Sequence, residues 1–197
     1  MARFPPPPDR RVCRGCDGVM EKKTNETEIE FVPFPKIPRL KRGCVITEKI
    51  DGTNACVRIV GDRVISQSRS RILSVADDNF GFARWVEDHK AELLSLGEGC
   101  HFGEWWGAGI QRRYGLTEKR FSLFNVGRWN AETPPPPCCS MVPILYQGDF
   151  DTGAIDRAIE MLRKEGSKAA PGFMKPEGII VYHVASRCYF KGDYILD

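Results

Sequence analysis

The chain has 197 residues, 29 Lys and Arg against 26 Asp and Glu, and a formal net charge of +3. That length suits one domain with its own core and is short for two, and the mild basicity is compatible with a phosphate-rich partner. No apolar run reaches the roughly 18 residues of a membrane-spanning helix, and Met1-Ala2-Arg3-Phe4 followed by four prolines lacks the apolar centre of a signal peptide, so a cytoplasmic protein without membrane attachment is expected.

Residues 1–30 are expected to be poorly ordered, because prolines and charges leave little to bury. Eight cysteines without an export signal point to reduced thiols. Cys13 and Cys16 with Cys138 and Cys139 could pool four soft zinc ligands, although an adjacent pair is poor spacing for that metal. Phe31 to Leu40 reads as extended and broken by prolines, laying Phe34, Ile37 and Leu40 across the core edge. Lys36, Arg39, Lys41 and Arg42 are either a solvated face or a phosphate contact.

Thr47-Glu48-Lys49-Ile50-Asp51-Gly52-Thr53-Asn54 lies between apolar runs that read as strands, Cys44 to Ile46 and Ala55 to Val60. Lys49 therefore stands at a strand end with a tight turn behind it. A lysine amine becomes a nucleophile when burial or cationic neighbours favour its neutral form. Gly52 would let backbone approach a ligand, and Asp51 and Asn54 add an acceptor and a donor beside the lysine. The alternative is a charged hairpin turn.

Gly61-Asp62 marks a hairpin leading into a strand over Arg63 to Ser68. Phe82, Trp85, Val86, His89, Leu93 and Leu96 follow one helical stripe, capped by Asp77, Asp78 or Asn79 and stopped at Gly97. His89 is read as structural, Phe80 and Trp85 as core. Cys100 to Gly107 reads as a strand carrying Glu104, with small residues at Gly103 and Gly107. Ala108 to Arg120 holds Arg112, Arg113, Lys119 and Arg120 against Glu118 alone. It is either a phosphate-backbone surface or a solvated loop.

Phe121 to Val126 alternates like a half-buried strand, and Asn130 to Cys139 is a proline-rich loop. Val142 to Tyr146 reads as a short strand. Asp151 or Thr152 caps a helix carrying Ile155, Ala158, Ile159 and Leu162, stopped near Gly166. Irregular hairpin strands with two clear helices indicate an α+β protein.

Lys49-Ile50-Asp51-Gly52-Thr53-Asn54 resembles motif I of the covalent nucleotidyltransferases, which comprise DNA ligases, RNA ligases and capping enzymes. With Glu48 included it is most similar to the branch of T4 RNA ligase 2. The remaining motifs follow in family order. Ser68-Arg69-Ser70-Arg71 resembles motif Ia, Cys100 to Gly107 motif III, Phe121 to Val126 motif IIIa, Lys175 to Tyr182 motif IV and Tyr189 to Tyr194 motif V.

The resemblance implies a nucleotidyltransferase domain over 31–197, built from two antiparallel sheets with flanking helices; many of its relatives continue into an oligonucleotide-binding barrel, and none is expected here because only three residues follow motif V. It implies an ATP-dependent RNA ligase in which Lys49 forms lysyl-AMP, with Mg²⁺ or Mn²⁺ held by Glu177. Glu104 would take the ribose, with Gly103 leaving room for that sugar, and Phe124 the base, while Glu48, Asp51, Asn54 and Arg69 line the nucleotide. Lys191 would meet the α-phosphate, and Arg71, Arg112 and Arg113 the nucleic acid. Motif V normally carries two lysines one residue apart, and Tyr189 stands where the first would be. The implied partners are RNA or DNA strand ends and a separate nucleic-acid-binding protein, with the chain itself a monomer. The rival readings are a DNA ligase, a GTP-dependent capping-type guanylyltransferase and a non-catalytic nucleic-acid clamp.

Overall fold

The computed structural model describes residues 31–193; the expectation about residues 1–30 falls outside them. The chain leaves one sheet and enters another at the suspected nucleophile. β1 (Gly43–Lys49) ends at Lys49, and β2 (Thr53–Val60) begins four residues later in a different sheet. Gly52 makes this crossing possible. A Cβ there would sit 2.4 Å from the Trp105 carbonyl oxygen and 2.7 Å from the Trp106 Cβ. Its bare backbone lets the turn press onto the neighbouring strand, not onto a ligand.

β2 pairs with β3 (Arg63–Ser68) across the Gly61-Asp62 turn and with β4 (Gly99–Gly107) on its other side. β5 (Lys119–Leu123) and β6 (Cys139–Met141) complete a five-stranded sheet in the order β3-β2-β4-β5-β6, antiparallel except for the β5–β6 pair. The second sheet runs β7-β1-β8-β9, with β7 (Ile144–Asp149), β8 (Gly178–His183) and β9 (Cys188–Asp193), and is antiparallel throughout. Both sheets are open.

Each sheet buries one face under helix. Val57, Ile59, Trp105, Phe121 and Leu123 pack against α1 (Phe82–Asp88), α2 (Lys90–Leu93) and the 3₁₀ turn at Leu94–Leu96. Cys44, Ile46, Ile179 and Val181 pack against Ala154, Ala158 and Leu162 of α3 (Thr152–Glu165). Burying a large apolar side chain contributes about 1.5–3 kcal/mol, so these layers anchor both sheets. α3 begins where Asp151 accepts from the Gly153 N–H at 3.0 Å and stops at Gly166, whose φ is 74°. A third cluster of Ile50, Trp106, Tyr114, Val142 and Ala170 fills the place where the chain crosses between sheets.

Several local expectations are corrected. Phe34, Ile37 and Leu40 do not cover the core edge; they are 84%, 83% and 68% exposed. Pro33, Pro35 and Pro38 remove the N–H groups that would dock this segment as a strand. The single helix over 82–96 is broken at His89, where φ is −111°. There the imidazole Nδ1 lies 2.8 Å from the Trp85 carbonyl oxygen, competing with the backbone ladder. Phe80 is exposed with φ 51°, and its carbonyl accepts from the Trp105 indole and Lys119. Asp78 is the acid at the helix start, accepting from the Ala83 and Arg84 N–H groups. The expected strand over 142–146 is split from β6 by Val142 and Pro143, and the strand from Phe121 ends at Leu123. Among the described residues no helix is long and apolar enough to cross a membrane.

Candidate active site

Lys49 pairs in register with Gly178, which places Glu177 beside its ammonium group. Lys49 Nζ and Glu177 Oε1 form an ion pair, the two side chains being 18% and 22% exposed. The other carboxylate oxygen, Glu177 Oε2, is buried without a hydrogen-bond partner. A buried acceptor left unpaired is costly, so it marks a place for an additional positive group. A hard divalent cation fits that oxygen. Among the described residues no three His, Cys, Asp or Glu side chains cluster to hold a metal. The donor set therefore suits an ion that takes one carboxylate and completes its shell with phosphate oxygens and water, as Mg²⁺ does.

Glu104 comes from the opposing sheet. Asn54, Glu104 and Ser122 are register partners, so their side chains share the face turned away from the helices. Glu104 Oε1 accepts from the Gly52 N–H and Oε2 from Asn54 Nδ2, both at 3.1 Å. Burial pushes its pKa from the ordinary 4.5 up to about 7, against those two hydrogen bonds and the Lys49 charge; the Glu177 charge adds to the rise. Gly103, in contrast, faces the helix layer, where a Cβ would lie 2.6 Å from the Phe121 ring. It makes room for core packing and not for a sugar.

A raised carboxyl pKa has a definite sign in stability. The folded protein holds the Glu104 proton through the window from 4.5 to about 7. This contribution is complete below 4.5 and is lost as pH rises through 7. The full shift is worth about 3 kcal/mol. Glu104→Gln is expected to flatten the fall in unfolding free energy between pH 5 and pH 8 by an amount approaching that figure. Parallel denaturation profiles in wild type and variant would contradict the assignment.

Asp51 closes the near side of the site. Its N–H donates to the Tyr114 hydroxyl at 2.8 Å, and its carboxylate accepts from Arg112 Nε at 3.0 Å. Arg112 also donates to the Lys175 carbonyl at 3.2 Å, spanning from motif I to the segment before Glu177. Arg112 is thus drawn into the site, and Arg120 is paired with Glu118. The loop expected to present a block of free charge keeps Arg113 as its arginine with no ion pair among the described residues.

Phe124 follows β5 and is half-buried against the crossing cluster that includes Ile50, whereas Phe121 is wholly in the helix-side core. Lys191 is exposed on β9 and pairs through Ile180 with Thr47, which puts it on the face that carries Lys49. Arg69 is exposed. Arg71 is engaged with Asp77 at 2.5 Å and with two loop carbonyls, so it braces the turn after β3.

Glu48 points the other way. Its carboxylate is buried and accepts from Ser167 Oγ at 2.5 Å and from the Lys168 and Ala169 N–H groups at 2.7 and 3.0 Å. Strand alternation places it opposite Lys49, so it fixes the strand that carries the nucleophile. Tyr114, Trp106 and Ser167 were not singled out from the sequence, and each supports the site. Tyr114 packs on Trp106 and Phe173, and the Trp106 indole donates to Ser122. A tyrosine in a glycine-rich loop was the available signal. The Cys138 and Cys139 sulfurs lie 3.9 Å apart at the start of β6, while Cys13 and Cys16 fall outside the described residues.

A family model described as RNA ligase matches residues 42–195. Solved structures of a Naegleria gruberi RNA ligase share the fold. An apo mutant matches at 18% identity with TM-score 0.55, covering 79% of this chain and 50% of that one. Mutants of the same enzyme with AMP and Mn and with ATP and Mn match at 18% and 19% identity, both with TM-score 0.54, covering 78% of this chain and 50% of theirs. The chain thus spans about half the length of the solved structures it matches. No curated protein matches it.

Proposed function

Because the chain belongs to the RNA ligase family, we propose that it is an ATP-dependent RNA ligase working through a lysyl-AMP intermediate. The observation that carries this reading is Lys49 facing Glu177, whose second oxygen is buried and unpartnered. Lys49 attacks the α-phosphorus of ATP. An N–P bond forms, the bond to pyrophosphate breaks, and the amine gives up its proton. AMP then passes to the phosphate at a 5′ end, and a 3′ hydroxyl displaces it to join the strands. Each step is in-line phosphoryl transfer, governed by positioning and charge neutralisation.

Glu104, on the other sheet from Lys49, accepts from the ribose hydroxyls. Phe124 offers its ring to the base, and Asp51, Asn54 and Arg69 line the nucleotide. Lys191 meets the α-phosphate from the same face as Lys49. Arg113 is the contact for the strand, while Arg112 keeps Asp51 in place. A divalent ion held by Glu177 would neutralise charge on the transferring phosphate. Glu48, predicted to touch the nucleotide, instead orients β1. The chain acts as a monomer in the cytoplasm with a separate nucleic-acid-binding protein, and residues 31–197 form the nucleotidyltransferase domain.

The test is incubation with α-labelled ATP or GTP, followed by sealing assays on matched RNA, DNA and mixed ends. Label from ATP and preferential sealing of RNA are expected. Label from GTP would assign guanylyl transfer, and sealing of DNA alone a DNA ligase. Tight ATP binding without an adduct would assign a clamp.

A further inference from the structure

The motif V departure has a structural consequence on β8 and β9. Val45, Tyr182 and Tyr189 are register partners across three strands, as are Thr47, Ile180 and Lys191, while Lys49 pairs with Gly178. Paired positions share a face and alternate along the strand. Tyr182, Tyr189 and Lys191 therefore stand on the face that carries Lys49, the opposite face being packed against α3 through Ile179 and Val181. The two tyrosine rings lie 4.6 Å apart at 37°. Tyr189 is 51% exposed, on the edge strand of its sheet.

Positive charge brackets this pair. Lys191 lies on one side along β9, and Arg187 sits in the hairpin turn on the other. Burial pushes the Tyr182 hydroxyl above its ordinary pKa, and the Arg187 guanidinium is close enough to pull it back. With strand spacing of about 4.8 Å and a rise of about 3.4 Å per residue, Tyr182 Cα lies roughly 14 Å from Lys49 Cα. That is a reach of a few nucleotides from the reacting phosphate. Aromatic rings interleaved with cations are what a single strand needs, because every base has a face to stack and every linkage a charge to neutralise.

We propose that the Tyr182–Tyr189 pair, flanked by Arg187 and Lys191, is a stacking platform for the unpaired bases of a single-stranded nucleic-acid end. The proposal rests on the ligase reading above and narrows it to ends whose bases are free to leave a duplex. Tyr189 then replaces a phosphate contact with a base contact.

Binding of a short 5′-phosphorylated single-stranded oligoribonucleotide, and of the same strand with abasic positions near its end, is measured by fluorescence anisotropy. Removing the bases should weaken binding to the wild type by roughly five- to 150-fold. Tyr189→Leu should weaken binding of the intact strand by a similar factor and lose most of its sensitivity to base removal. Tyr189→Phe should behave as wild type. Leucine keeps an apolar cross-strand contact, and thermal melts report whether each variant folds. A wild type indifferent to base removal overturns the platform without any variant. So does an abasic penalty of equal size in wild type and Tyr189→Leu, which would leave the pair as a hairpin brace. Adenylylation of the wild type by labelled ATP is scored in parallel, so an inert protein counts against the ligase reading while the binding data judge the platform.

Discussion

Lys49→Ala is expected to abolish the transfer of label from α-labelled ATP to the protein. The effect is total because the lysine nitrogen is itself one partner in the bond that forms. Neither Arg112 nor Lys191 replaces it. Arg112 is a guanidinium bound to Asp51, and Lys191 stands two strands away on β9. Lys49→Arg should be equally inactive, since a guanidinium keeps its charge and has no free amine. An acid-labile, alkali-stable adduct persisting in either variant would remove Lys49 from the mechanism.

Glu177→Ala is expected to slow adenylylation by about 10²–10³-fold, the range for losing one preorganised electrostatic group. ATP affinity should fall by less, because charge on the transferring phosphate is greatest in the transition state. In the structure this carboxylate offers one oxygen to Lys49 and keeps the other buried and unpartnered. Truncation therefore removes the orientation of the amine and the proposed cation ligand together. Losses of equal size in affinity and rate would reduce Glu177 to a substrate contact. Circular dichroism on the variant separates either result from unfolding.

What the sequence revealed depended on distance along the chain. The strand end at Lys49, the turn at Gly61, the α3 cap at Asp151 and its stop at Gly166 are local, and each lies where composition and periodicity put it. The pairing of Lys49 with Glu177 spans 128 residues, and that of Arg112 with Asp51 spans 61. Family resemblance alone put Lys49 and Glu177 in one site, and neither pairing was expected. Arg112 therefore reads as surface charge until the crossing at Gly52 brings it against motif I. Faces were equally hidden. Gly103 and Glu104 are adjacent, yet one clears space for Phe121 and the other accepts from Gly52 and Asn54 on the opposite face. Glu48 and Lys49 divide in the same way. Proline at three positions was legible as a break, and its further effect, leaving Phe34 and Ile37 uncovered, follows only once no strand is found to receive them.

The family match spans residues 42–195, and the fold has two open sheets, each backed by helix, with the turn after Lys49 crossing between them. Incubation of the wild-type protein with ATP and Mg²⁺ or Mn²⁺, followed by proteolysis and mass spectrometry, locates any adduct to a residue. AMP held as a phosphoramidate on Lys49, released by acid and retained in alkali, is the predicted result. AMP on any other residue, or a protein that binds ATP with the metal present and carries no adduct, would contradict it.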